Sequence, residues 1–325
     1  MDAGSSATKK SGGGGRSNRF AGGREKYRIQ AAVAALMLLS VIWGYNWVVM
    51  KVALRDCGPF MFGAMRIFFG ALVLFPVLVA GGKRLAPSNL PGVALLGLLQ
   101  TAGFVGLMMW ALDTGGAGKT AVLVYTMPFW TLVLARVFLH ERFRGMQWLA
   151  VALVLGGLTF VFDPWHSRGN PVSECLALLS GVSWAASVIV AKRLQAARST
   201  DLLALAAWQM LLGSLPLVAI AFIVPGPPIN WSGYFVGALV YNVIPCNALA
   251  FILWLFIVRN LPAGLVGMGS LVTPLVGVLC AWMELGEAPG RIEGIGMLLI
   301  GTALLLLLLY ALKSRTIPDT VGNAS

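Results

Sequence analysis

Charge is scarce in this chain. Asp, Glu, Lys and Arg make up 11% of its 325 residues, against 58% apolar residues, less than half the charge of an ordinary soluble domain. So few polar groups cannot cover the surface of a water-soluble fold of this length. Histidine is almost missing: His140 and His166 stand in different loops on opposite expected faces. That excludes a histidine-based metal centre and a His-driven catalytic cluster. The four cysteines, Cys57, Cys175, Cys246 and Cys280, show no paired spacing. They read as small apolar filler, not as a disulfide framework or zinc site. Acids are absent from the middle of every long apolar run, with Asp113, Glu141, Glu174, Glu284 and Glu287 all near run ends. Nucleotide motifs are missing too. Gly118-Lys119-Thr120 looks like the end of a phosphate loop, but the glycine required five residues earlier is Asp113, and no buried strand precedes it. No cofactor, metal or ATP-driven step is expected.

Long apolar runs are abundant, and mean hydropathy is +0.83. Ten runs reach spanning length, at 29–53, 58–80, 91–112, 119–139, 146–163, 172–192, 202–224, 232–258, 262–283 and 291–312. About 20 residues of helix cross about 30 Å of hydrocarbon. Continuous apolarity over such lengths predicts helices, not alternating barrel strands. The expected class is therefore all-α integral membrane. Residues 1–28 are Gly/Ser-rich and basic and read as a disordered tail. Their charge is an orientation signal beside an anionic membrane; nothing else supports a nucleic-acid arm.

The chain repeats itself. Trp43 precedes Lys51 by eight residues, as Trp184 precedes Lys192; Pro128 precedes Glu141 by thirteen, as Pro274 precedes Glu287. The copies are offset by 141 and 146 residues. Two halves, 29–163 and 171–313, follow, with a short tail at 314–325. Five spans per half place the second upside down relative to the first, a recurring transporter design with the site at the repeat interface. With both termini inside, eighteen Lys/Arg fall on the cytoplasmic side, against Lys51, Arg55, Lys119, Arg168 and Arg291 outside. The positive-inside rule favours that orientation. The connections are short and leave no room for a soluble catalytic domain; Asn230-Trp231-Ser232 is a formal glycosylation triplet abutting the membrane.

Certain residues carry a family resemblance. Trp43-Gly44-Tyr45-Asn46-Trp47 with Lys51, Arg66, Tyr125-Thr126-Met127-Pro128 and Glu141-Arg142 mark the first half. Trp184-Ala185, Lys192-Arg193, Pro274 and Glu287 mark the second. In this order the chain resembles the drug/metabolite transporter superfamily, in its ten-helix EamA-type branch, over about 29–313. The resemblance implies a fold of two inverted five-helix repeats and transport of small organic solutes. Amino acids, nucleotide sugars, phosphorylated sugars and drugs are all carried within that superfamily.

Polar side chains are costly in hydrocarbon and should face the bundle interior. Asn46, Gln100, Tyr125, Ser187, Tyr241, Asn242 and Ser270 are such residues, and Trp43, Asn46, Trp47 and Met50 share one helix face. That aromatic face with one amide suits an amphipathic solute, or serves packing. Trp184 holds the matching place in the second half. Arg66 lies about eight residues into its span. It could attract a substrate carboxylate or phosphate, snorkel outward, or brace neighbouring carbonyls. Pro128, Pro245 and Pro274 interrupt spans and release the carbonyls of Val124, Tyr241 and Ser270. They read as hinges or static kinks. The fifth and tenth spans are nearly pure Leu/Val/Ala/Gly and read as peripheral, facing lipid or a second copy; the protein is expected as a monomer or a homodimer through them.

The leading expectation is a bacterial inner-membrane exporter of amino acids or related amphipathic metabolites. A multidrug or quaternary-ammonium proton antiporter is the alternative, but it wants an embedded carboxylate that the sequence lacks. An enzyme would need His/Asp/Glu clustered at one face, and a scaffold would not need mid-membrane polar residues. Transport is read as facilitated, or as coupled through an acid near a gate.

Overall fold

The computed structural model describes residues 14–82, 86–87, 89–138, 145–162, 170–196, 201–224, 226–261 and 272–315. Among these every regular element is helical. In the first half they are α1 (Gly14–Ala53), α2 (Pro59–Ala80), α3 (Leu90–Gly97), π1 (Leu98–Gly103), α4 (Phe104–Thr114), α5 (Ala117–Val124), α6 (Met127–Phe138) and α7 (Met146–Phe162). The second half has α8 (Pro171–Ala196), α9 (Leu202–Ile223), α10 (Gly233–Val243), π2 (Ile244–Leu249), α11 (Ala250–Asn260), α12 (Val272–Leu285) and α13 (Arg291–Arg315).

Seven stretches are long and apolar enough to cross a membrane: Tyr27–Ala53, Pro59–Ala80, Leu90–Thr114, Ala117–Phe138, Pro171–Leu194, Leu202–Ile223 and Gly233–Trp254. Met146–Phe162 and Val272–Leu285 are apolar but shorter; 17 helical residues reach only about 25 Å. The outer surface is greasy, with Ile223 76% and Met283 75% exposed. Contiguous apolar exposure of this kind is unstable in water and natural in lipid.

The first helix starts earlier than composition suggested. The backbone is helical from Gly14, so much of the supposed 1–28 tail extends α1. Arg16, Arg19, Arg24, Glu25, Lys26 and Arg28 are good helix formers. Extending an existing helix avoids the cost of nucleation.

The halves interlock. α1 packs on α10, α11 and α12 of the second half, and α8 packs on α3, α4, α5 and α6 of the first. α2 lies on α9, and α7 on α13. Both counterpart pairs run antiparallel. Phe75 meets Trp208, with ring centroids 5.3 Å apart, while Gly70 faces Met210. A Cβ on Gly157 would stand 2.8 Å from the Gly296 carbonyl oxygen, and one on Gly296 would stand 2.6 Å from that of Gly157. Only glycine admits that approach, the usual means of helix association in lipid. The small-residue faces of α7 and α13 thus pack on each other within one chain.

Both halves carry a π-helical segment at the same place, 146 residues apart. Pro245 accounts for π2, because it has no N–H for the regular ladder. π1 contains no proline. Its backbone is held from outside instead: Ser183 on α8 donates to the Leu99 carbonyl at 2.7 Å, and Ser180 donates to that of Phe104 at 3.1 Å. Such bulges mark sites where a helix departs from its ladder for a purpose.

Candidate functional site

A polar centre forms where α1, α2, α10 and π2 meet. Arg66 is 7% exposed. Its Nη1 donates to the Met50 sulfur at 3.0 Å, and its buried Nε has no partner. No carboxylate pairs with it among the described residues. Asn46 and Asn242 are also buried, and each has an Oδ1 without a partner. Asn242 uses its amide nitrogen on the Ala238 carbonyl at 2.9 Å. Asn247 donates to the carbonyls of Arg66 (3.2 Å) and Asn242 (2.8 Å). Three unsatisfied polar atoms in one dry region are costly unless something binds there.

The aromatic residues frame this centre. Trp47 is buried and meets Tyr125 with ring centroids 6.5 Å apart. Trp43 is set further along α1. It packs on Trp254 at 6.2 Å and donates to the Cys246 carbonyl at 3.2 Å. Tyr241 donates to the Ile42 carbonyl at 2.9 Å and stands edge-on to Tyr45. Trp43, Asn46, Trp47, Arg66, Tyr125, Tyr241 and Asn242 thus belong to one neighbourhood. Gln100, Trp184 and Ser187 belong to the opposite side. Trp184 packs on Phe104 with tilted rings whose centroids are 4.8 Å apart, and Ser187 donates to the Trp184 carbonyl of its own helix at 2.6 Å. Gln100 is half-buried, and its neighbour Thr101 makes the cross-helix bond, to Gln209 at 2.9 Å. Ser270 lies outside the described residues.

Pro128 sits near the start of α6, where a missing N–H costs least, and Pro274 is buried in α12. The fourth span breaks at Tyr125 and Thr126, the Thr126 hydroxyl donates to the Leu123 carbonyl at 2.6 Å, and the Val124 oxygen faces Gly181 of α8.

One end of the bundle is pinned shut. Lys51 donates to the carbonyls of Leu112 (2.7 Å) and Asp113 (3.0 Å), Ser173 to that of Ala111 (2.7 Å), and Asn170 to that of Thr114 (3.2 Å). These carbonyls lie in the last turn of α4, where a helix runs out of its own donors; that of Ala111 also accepts from the Gly115 amide at 2.9 Å. Glu287 accepts from the amides of Ala117 (2.5 Å) and Gly118 (3.3 Å), at the start of α5. The sequence that mimics a phosphate loop therefore holds the chain's own carboxylate at a helix N-terminus. Lys119 pairs with Glu174 at 2.6 Å. Asp56 ties the α1–α2 turn to α10 by accepting from Asn230 (2.8 Å) and Ser232 (2.5 Å). Both polar members of the formal glycosylation triplet are engaged in that tie. Residue spacing could not reveal the Lys119–Glu174 and Thr101–Gln209 contacts, since each joins distant segments.

Comparison with known proteins agrees with this architecture. The EamA-like transporter family matches the chain twice, over residues 30–163 and 172–309. The uncharacterized transporter YoaV of Bacillus subtilis is 28% identical over 258 residues, 78% of this chain and 88% of that protein. The uncharacterized inner membrane transporter YedA of Escherichia coli is 28% identical over 284 residues, 85% of this chain and 90% of that protein. A probable amino-acid metabolite efflux pump of Escherichia coli is 25% identical over 281 residues, 82% and 91% of the two chains. A solved crystal structure superposes with a TM-score of 0.61 at 18% identity, covering 88% of this chain and 99% of that one, and shares the fold. A doubled family match on a helical chain with a lipid-compatible surface makes this protein an integral membrane transporter, not an enzyme, and a member of the EamA-like transporter family.

Proposed function

We propose that the protein is a secondary, non-ATP exporter of small organic metabolites, with amino acids or related amphipathic solutes as its class. It works by alternating access between two inverted five-helix repeats, ten spans in all, in a bacterial inner membrane with both termini cytoplasmic. One observation carries this reading: Arg66, Asn46 and Asn242 leave polar atoms unpaired in the bundle interior. A solute carboxylate would satisfy the guanidinium, whose planar fork suits it. The ammonium would take the amide oxygens, and the Trp47–Tyr125 contact would flank its apolar part. The antiparallel pairing of α2 with α9 and of α7 with α13 supports the inversion.

In this reading the conformation is closed at the Lys51 end. Lys51 is half-buried and bonded, whereas its counterpart Lys192 is exposed. Pro128, Pro245 and Pro274 mark the joints, together with π1 and π2, and transport exchanges which end is pinned. The aromatic surroundings favour a second reading, quaternary-ammonium antiport, but a buried cation at Arg66 would repel that solute. Proteoliposomes loaded with a labelled amino-acid mixture or with tetraphenylphosphonium separate the two. Amino-acid release without tetraphenylphosphonium release is expected; the reverse would overturn the assignment.

A further inference from the structure

The pinned end is not solid. A cavity of about 330 Å³ opens there between the starts of α5, α8 and α13 and the end of α12. That volume lies within the range of small-molecule sites. Leu123, Val278 and Met297 give it an apolar wall, and Lys119, Glu174 and Glu293 give it charge. Glu287 also lines it, but is spent on the α5 amides. The Lys119–Glu174 pair remains as the exchangeable feature. The Glu174 side chain is 4% exposed and that of Lys119 19% exposed. An ion pair held that dry pays desolvation for both members and is not a cheap way to join two helices.

We propose that this cavity is a second solute station that selects zwitterions, above all free α-amino acids. It rests on the transporter reading and narrows its substrate class. An α-carboxylate takes the Lys119 ammonium, and an α-ammonium takes the Glu174 carboxylate. The side chain lies on the apolar wall. The exchange replaces one ion pair by two and leaves the net charge of the cavity unchanged, so no lone charge is left in a dry site. Anions and cations that carry a single charge strand one member of the pair. The station is also one-sided. The family offsets place Leu265 opposite Lys119 and Val33 opposite Glu174 in the other half. The matched positions therefore carry no charge pair for this selection.

The test uses full-length protein in lipid nanodiscs and a uniformly ¹⁴C-labelled mixture of the protein amino acids. Each amino acid retained is then competed with its N-acetyl derivative, an anion, and its amide, a cation. Wild type should prefer the zwitterion over either by about tenfold or more, the scale of one charged hydrogen bond. Lys119→Met should weaken the zwitterion about tenfold and should not weaken the amide, which then pairs with Glu174 without stranding a cation. Glu174→Gln should weaken the zwitterion equally and spare the N-acetyl derivative. A purely structural pair would instead shift all three ligands together, which overturns the proposal, as does a wild type that retains no amino acid. The neutral double variant Lys119→Met/Glu174→Gln strands no buried charge and should fold. Wild-type affinity in that variant also refutes the station. Release of label from wild-type proteoliposomes separates the two ideas: with release intact the exporter stands even if the station falls, and without release the exporter falls.

Discussion

The Thr101 hydroxyl donates to the Gln209 amide oxygen at 2.9 Å, in the place where, 146 residues later, Asn247 donates to the backbone carbonyl of Arg66 at 3.2 Å. Thr101 and Asn247 are matched members of π1 and π2, and Gln209 and Arg66 are matched members of α9 and α2. Each contact crosses a glycine, Gly213 or Gly70. The duplicated scaffold is kept, while the side chain it presents has changed from a neutral amide to a cation. The Thr101–Gln209 pair should behave as a closed unit. Thr101→Val or Gln209→Leu alone strands a buried group and should cost about 1–3 kcal/mol, while the double variant should cost less than their sum. Thermal unfolding of the three purified variants measures the cycle, and strict additivity would contradict it.

Arg66 should trade stability for function. Its Nε has no partner, so Arg66→Met removes a desolvated charge. The melting temperature should rise by a few degrees, about 1 kcal/mol or more, while solute release falls at least tenfold. A lower melting temperature with undiminished release would show that the arginine is a brace.

Glu287 should stabilise the start of α5 through its charge. Glu287→Gln keeps the shape and loses the anion facing the Ala117 and Gly118 amides. The expected cost is about 0.5–2 kcal/mol, read as a lower melting temperature. An unchanged value would mean the contact contributes nothing.

The α7–α13 crossing should tolerate no side chain. Gly157→Val places atoms against the Gly296 carbonyl and should cost about 1–3 kcal/mol, seen as a lower melting temperature. Solute preference of the protein that does fold should not change, because the crossing is remote from Arg66. A shift in preference would tie these helices to the pathway.

Orientation has its own measurement. Ala288 is exposed in the α12–α13 turn. Ala288→Cys in a background that retains only Cys57 should react with an impermeant maleimide on intact cells if that end is external. Cys57 serves as the silent reference, being fully buried with its thiol pushed up to about 11. Roughly one molecule in ten thousand would be thiolate at neutral pH. Labelling of Ala288→Cys only after the cells are opened would reverse the orientation.

Much of this was legible in the residues because membrane chemistry is blunt. Long apolar runs must be helices, and a doubled Trp–Lys and Pro–Glu spacing betrays duplication. The peripheral place of α7 and α13 was legible in their lack of polar groups, but their clasp through Gly157 and Gly296 was not, because two glycines carry no address. π2 had a signal in Pro245. π1 had none, since Ser183 and Ser180 of another helix hold it open. Lys119 and Glu174 were visible as charges near run ends. Their meeting depends on how α5 and α8 pack, which local periodicity does not encode. The helical start of α1 was hidden by glycine and serine, whose poor propensity was outweighed by the apolar helix that follows.

The interlocking of the halves separates cohesion from covalent continuity. α1 is held by the second half, α8 by the first, and α2 and α7 each clasp their own counterparts. Few of the forces that keep the bundle together run through the peptide linkage between them. A gene cut in two between α7 and α8, with both pieces made in one cell, should still yield a working transporter. The unbroken chain then serves mainly to deliver the two halves in equal number.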